Sequence, residues 1–131
     1  MAAGRGPRDT GNSTVEFTLV SVLVVGLFLA VLQLGFVLHT RNVLVASAQE
    51  GARYGANADR SPVDAEERTR EVVETALSAS VAGRMRYDAQ QVVRGGALTV
   101  EVTVTGPLPL VFLPAGPMSL TVRGHALEEA R

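Results

Sequence analysis

From Phe17 to Leu38 the chain runs for 22 residues without a formal charge, and only Thr18, Ser21 and Gln33 interrupt its apolar character. At about 1.5 Å of rise per residue, a helix of that length spans roughly 33 Å, the thickness of a hydrocarbon core of about 30 Å. No proline breaks the run, and Gly26 and Gly35 are tolerated in a membrane helix. A cleaved secretory signal is a poorer match, because such signals carry apolar cores of about 7–15 residues. Ala46-Ser47-Ala48 does resemble a small-residue cleavage site, but His39 and Arg41 separate it from the run. A buried core helix of a soluble protein is a poorer match still, since the rest of the chain is too small to surround it.

Orientation follows less directly. Arg5 and Arg8 precede the run while Arg41 and Arg53 follow it, so the positive-inside bias is a tie. The short N-terminal tail favours a cytoplasmic N-terminus with the larger C-terminal part exported. That part supports one small domain at most. Cysteine is absent, which removes disulfides, thiolate metal sites and cysteine nucleophiles together. A small domain without bridges is marginal and gains from partners. With a net charge of −1 there is no basic field to hold nucleic acid.

Organisation along the chain predicts an α+β protein, a long N-terminal transmembrane helix followed by a small exported domain with one helix and a three-stranded antiparallel sheet. Residues 1–11 read as a polar cytoplasmic leader without regular structure. The transmembrane helix with its extension covers 12–56, because Val43, Leu44 and Ala48 keep helical spacing, and 57–60 is a linker into the domain at 57–131. Ser61-Pro62-Val63-Asp64 starts a helix, with Ser at the N-cap, Pro at the first helical position and an acid at the third. Its expected range is 62–82, with Val72, Val73, Ala76 and Leu77 as the apolar stripe and Gly83 as the stop. Leu98, Val100, Val102 and Val104 then alternate with Thr99, Glu101, Thr103 and Thr105, the pattern of a half-buried strand. Gly95-Gly96 before it is a two-residue hairpin turn. Folding across that turn pairs Val93 with Leu98, Gln91 with Val100, Ala89 with Val102 and Tyr87 with Val104, with Gln91 the one polar defect. Pro107, Pro109, Pro114 and Pro117 keep 106–117 out of a central sheet position. Its apolar residues Leu108–Leu113 are expected to cover the hairpin. Leu120 and Val122 open a third strand toward Leu127.

Little here speaks for catalysis. The chain has no G-x-S-x-G, P-loop, H-E-x-x-H or glycine-rich nucleotide turn, so no catalytic residue, metal ligand or cofactor is assigned. Glu66, Glu67, Glu71 and Glu74 read as a solvated helix face. Gln33 either bonds between helices or bonds locally. Gly51, Ala52, Gly55 and Ala56 form a small-residue patch that would permit close helix approach, although a bent helix end leading to the linker is the favoured reading, and Arg53 and Tyr54 beside it read as positioning residues.

Two motifs carry a family resemblance. One is Gly11-Asn12-Ser13-Thr14-Val15-Glu16-Phe17 running into the apolar helix. The other is Arg41-Asn42-Val43 with Ala48-Gln49-Glu50-Gly51-Ala52-Arg53-Tyr54-Gly55-Ala56. Together they resemble the TadE-like pseudopilins, or minor pilins, of tight-adherence (Tad) pilus systems. The resemblance implies cleavage by a prepilin peptidase between Gly11 and Asn12. It implies that Glu16, beside Phe17 at the mouth of the helix, meets the terminal amine of a neighbouring subunit and fixes axial register. A carboxylate at the lipid edge is costly without such a counter-charge. The helix-packing candidates are Gln33, Gly51, Arg53, Tyr54 and Gly55. Expected partners are the membrane, other pilins, the inner-membrane assembly platform and the peptidase. The competing expectation is a signal-anchored extracytoplasmic protein that binds a ligand or the cell wall and keeps its leader.

Overall fold

The computed structural model describes residues 8–108, 110–112, 116 and 118–129. The first seven residues of the leader, and Pro109, Leu113, Pro114 and Pro117 of the proline-rich segment, lie outside that set.

Helix α1 runs unbroken over Arg8–Gly55. It therefore starts inside the stretch expected to lack structure, because lengthening an existing helix by one turn requires no new nucleus. Its two halves differ. Through Leu38 the apolar side chains stand mostly exposed, Phe17 at 74% and Leu23 at 72%, and this part is long and apolar enough to cross a membrane. Beyond it, Thr40, Leu44, Ser47, Ala48, Gly51, Ala52, Gly55 and Ala56 are buried. Their spacing of three and four places them along one side of the helix, and that side meets the C-terminal domain.

The domain opens with α2, Pro62–Ala76, behind a complete capping box. The Ser61 hydroxyl accepts from the Asp64 amide at 3.4 Å, and the Asp64 carboxylate accepts from the Ser61 amide at 2.8 Å. The single helix expected over 62–82 is two. Leu77 leaves helical geometry, Ser78 caps a new start by accepting from the Val81 amide, and α3 spans Ala79–Arg84. Serine competes with the helix for backbone hydrogen bonds and is favoured as a cap. Gly83 is consequently inside α3 and does not end a helix. Ala76 is exposed, and the buried line on α2 is Ala65, Thr69 and Val73.

Strands β1 (Arg86–Arg94), β2 (Ala97–Pro107) and β3 (Ser119–Leu127) form one antiparallel sheet in that order. The hairpin register is the expected one, with Tyr87 opposite Val104 through to Val93 opposite Leu98. Gly95 and Gly96 have φ of 58° and 82°, the left-handed pair that a tight hairpin of this hand requires. On β2, Val100, Val102 and Val104 point into a core shared with Leu44, Ala48, Ala52, Ala65, Val73 and Val122. The buried half of α1 packs on α2, β3 and β2, while α2 leans on β1.

The other sheet face also buries a charge. Glu101 on the central strand is only 6% exposed, flanked by Gln90 and His125 across the ladders, and it pairs with Arg94.

Candidate functional site

At the N-terminal end of α1, Gly11 and Asn12 lie in the first turns of the helix, so the expected processing point is helical here. Nothing lies within 4 Å of where a Gly11 side chain would begin. Glu16 stands four residues after Asn12, one turn further on the same side of the helix. Glu16 and Phe17 are both exposed. Nearby, the Thr18 hydroxyl donates to the Thr14 carbonyl at 2.8 Å, which satisfies it without leaving the helix.

Farther along, Gln33 is buried although its neighbours are not. Its Oε1 accepts the Phe112 amide at 2.8 Å, which ties the proline-rich segment to the side of α1. That segment does not cover the hairpin as expected. Leu108 and Leu110 are half-buried, while Val111, Phe112 and Met118 are exposed at 63%, 44% and 52%. Gln33 supplies the Phe112 amide with an acceptor away from the sheet.

The small-residue patch faces α2. A side chain at Gly51 would meet the Ala65 carbonyl oxygen at 2.7 Å as well as Thr69, and one at Gly55 would meet the Ala65 Cβ at 2.5 Å. Arg68 of α2 reaches back across this contact. Its guanidinium lies 3.5 Å from Glu50 and 3.4 Å from Glu71, and 5.7 Å from the centre of the Tyr54 ring. Arg60 approaches the same ring at 4.6 Å. The ring quadrupole favours cations over its face. Arg53 is exposed. Arg68 Nε is buried without a hydrogen bond, the one such side-chain atom among the described residues.

Two residues that sequence reasoning passed over, Thr69 and Gly124, and one that it misread, Glu66, organise this region. Thr69 is fully buried and bonds the Ala65 carbonyl at 2.7 Å; its spacing of four from Ala65 and Val73 was the available signal. Glu66 is not part of a solvated face, because its carboxylate accepts the Ala89 amide on the free edge of β1 at 2.9 Å. Gly124 lies directly under α1, where a side chain would meet the Ala48 carbonyl oxygen at 2.6 Å. A glycine inside an alternating strand signals such an approach.

Two side chains titrate away from their ordinary ranges. The hydroxyl and amide of Ser61, with Arg60 nearby, hold the Asp64 carboxyl low. Burial pushes the Tyr87 phenol up, and its hydroxyl donates to the Ala82 carbonyl at 2.9 Å. The surface depressions run along α2, lined by Arg68, Arg70, Glu66, Glu67, Glu71 and Glu74. They are open and charged. Among the described residues no group of three or more His, Asp or Glu is placed to hold a metal.

No curated protein and no solved structure matches the chain. A family model does match, over residues 11–53, which begins at Gly11 and takes in Glu16, the whole apolar run and the start of the small-residue patch. The matched family is that of the TadE-like proteins, and the similarity covers this N-terminal segment alone.

Proposed function

We propose that this protein is a minor pseudopilin or assembly component of a Tad-type pilus or secretion machine. One transmembrane helix holds it, with the N-terminus in the cytoplasm and the domain on the other side of the membrane. The observation that carries this reading is the coincidence of the family segment, residues 11–53, with a single long helix whose stretch 17–38 is uncharged and exposes mostly apolar side chains.

In this reading a prepilin peptidase cuts between Gly11 and Asn12. The bond has to leave helical geometry to enter a protease cleft. Glycine disfavours a helix by about 1 kcal/mol relative to alanine, which eases that local opening. Cleavage frees an amine one turn from Glu16. The amine of one subunit and the Glu16 carboxylate of the next then offset each other's burial, and their pairing sets how far one helix slides along another. The other pilins and the assembly platform meet the exposed apolar half of α1. The larger domain suits a minor subunit rather than the bulk of a fibre.

The deciding measurement is the mass of the protein extracted from membranes of cells that carry the machine. A chain beginning at Asn12 is expected; an intact leader refutes the processed-pilin reading. Glu16→Ala should still enter the membrane yet fail to assemble, and normal assembly of that variant removes the register role.

A further inference from the structure

We infer that Leu110, Val111, Phe112 and Met118 make a second membrane contact, an apolar patch seated in the same leaflet as the C-terminal end of the spanning part of α1. The inference rests on the reading of α1 as a transmembrane helix.

Depth is the first argument. The Gln33 side chain holds the Phe112 amide, and Gln33 lies five residues before the end of the uncharged run at Leu38. At about 1.5 Å per residue, Phe112 therefore sits roughly 7.5 Å inside the apolar stretch. The floor of the domain lies higher along the helix, where Thr40 adjoins Val81, Arg84, Met85, Pro107 and Leu108. The loop projects below that floor, toward lipid.

Chemistry is the second. Between Glu101 and Arg123 the chain carries no formal charge. Among the described residues here, Val111, Phe112 and Met118 expose large apolar side chains, groups that water disfavours and acyl chains accept. The third argument concerns the backbone. Irregular structure is tolerated at membrane depth where its polar groups find partners in the protein. The Phe112 amide has Gln33, the Leu108 amide donates to the Met118 carbonyl at 2.9 Å, and the Leu110 amide donates to the Leu108 carbonyl at 3.0 Å. A buried glutamine on an otherwise lipid-exposed stretch of helix is explained by the same contact.

Because the chain has no cysteine, single labelling sites can be introduced cleanly. Full-length Val111→Cys, Leu27→Cys and Val63→Cys, each carrying an environment-sensitive fluorophore, would be reconstituted in vesicles of phosphatidylethanolamine and phosphatidylglycerol. Lipids bearing a nitroxide either near the headgroup or at the chain end, and iodide in the water, serve as quenchers. The label at 111 should lose most of its emission to the shallow nitroxide and little to iodide. The label at 27 should respond to the deep nitroxide, and the label at 63 to iodide alone. If 27 is quenched from the lipid while 111 is quenched by iodide, the loop lies in water and the proposal is wrong. Protection of 111 from both quenchers places it against protein, a second copy for example, and also overturns it. Quenching of 27 by iodide refutes the spanning helix itself, and the loop assignment falls with it.

Discussion

Replacing Gly124 with alanine adds one methyl group where β3 meets the backbone of α1. That carbon would sit 2.6 Å from the Ala48 carbonyl oxygen and nearer still to the Ala48 carbonyl carbon and the Gln49 nitrogen. All three atoms are helix backbone, so no side chain can swing aside; α1 has to lift from β3 by something near 1 Å. A gap of about 0.5–1 Å already forfeits a quarter to a half of each dispersion contact along the seam, here those of Leu44, Ala48 and Ala52. Overpacking costs about 1–3 kcal/mol where neighbours rearrange, and a backbone obstruction belongs at the upper end. Alanine also lowers the entropy of the unfolded chain, which offsets about 0.4–1 kcal/mol. The net loss should be about 2 kcal/mol, or a fall of about 8–16 °C in the melting temperature of a domain this size. Near-ultraviolet circular dichroism of the protein in detergent, following Tyr54 and Tyr87 during urea unfolding, reads the domain apart from the lipid-facing helix. A loss under about 0.5 kcal/mol, within the ordinary surface range, would show that α1 does not rest on β3 at Gly124.

Gly83→Ala is the converse case: the residue is helical and nothing lies within 4 Å of the added carbon, so the domain should gain about 0.5–1 kcal/mol in the same assay. Asp64 titrates low in the folded state, so its contribution is present above the ordinary carboxyl value of about 3.9 and is lost as pH falls through the lower folded value. The urea midpoint should therefore drop on the acid side, and Ser61→Ala should flatten part of that drop. Gln33→Leu leaves the Phe112 amide without its acceptor; a lost bond of about 1.4 kcal/mol predicts roughly tenfold faster hydrogen exchange at that amide, and unchanged exchange would deny the tie.

The sequence made the hairpin legible to the residue pair, because a period of two and a Gly-Gly turn fix register with neighbouring residues alone. The start of α2 was equally plain, since Ser61, Pro62 and Asp64 act within one turn. Errors came where the outcome depends on distant groups. Ser78 is unremarkable within a helical pattern, and it becomes a cap because the chain turns there to place Val81 and Ala82 on the core. Ala76 fitted the apolar stripe by period, yet the face that α1 and the sheet cover is the one holding Thr69. Glu66 looked solvated until the edge of β1 supplied a donor. For Gly51 and Gly55 a bent helix end was the favoured expectation; the helix instead runs unbroken through to Gly55, and the two glycines serve a close approach by α2. The Gln33 contact joins residues 79 apart, a distance over which periodicity carries no information.

Because α1 passes from its apolar half into the domain core without a break, the anchor and the domain form one shaft and its head. Gly124 and the Gly51–Gly55 side lock that head from two directions, and the Glu129 amide clasps the Ala56 carbonyl at 2.9 Å just past the helix end. The residues expected to be a linker, 57–60, come only after this docking is complete. Any turn of the shaft about its own axis therefore swings the sheet through the same angle, and any tilt reappears at the far surface magnified by a helix of about 70 Å. An assembly that sets the pose of the helix within the bilayer thereby sets the direction in which the head points.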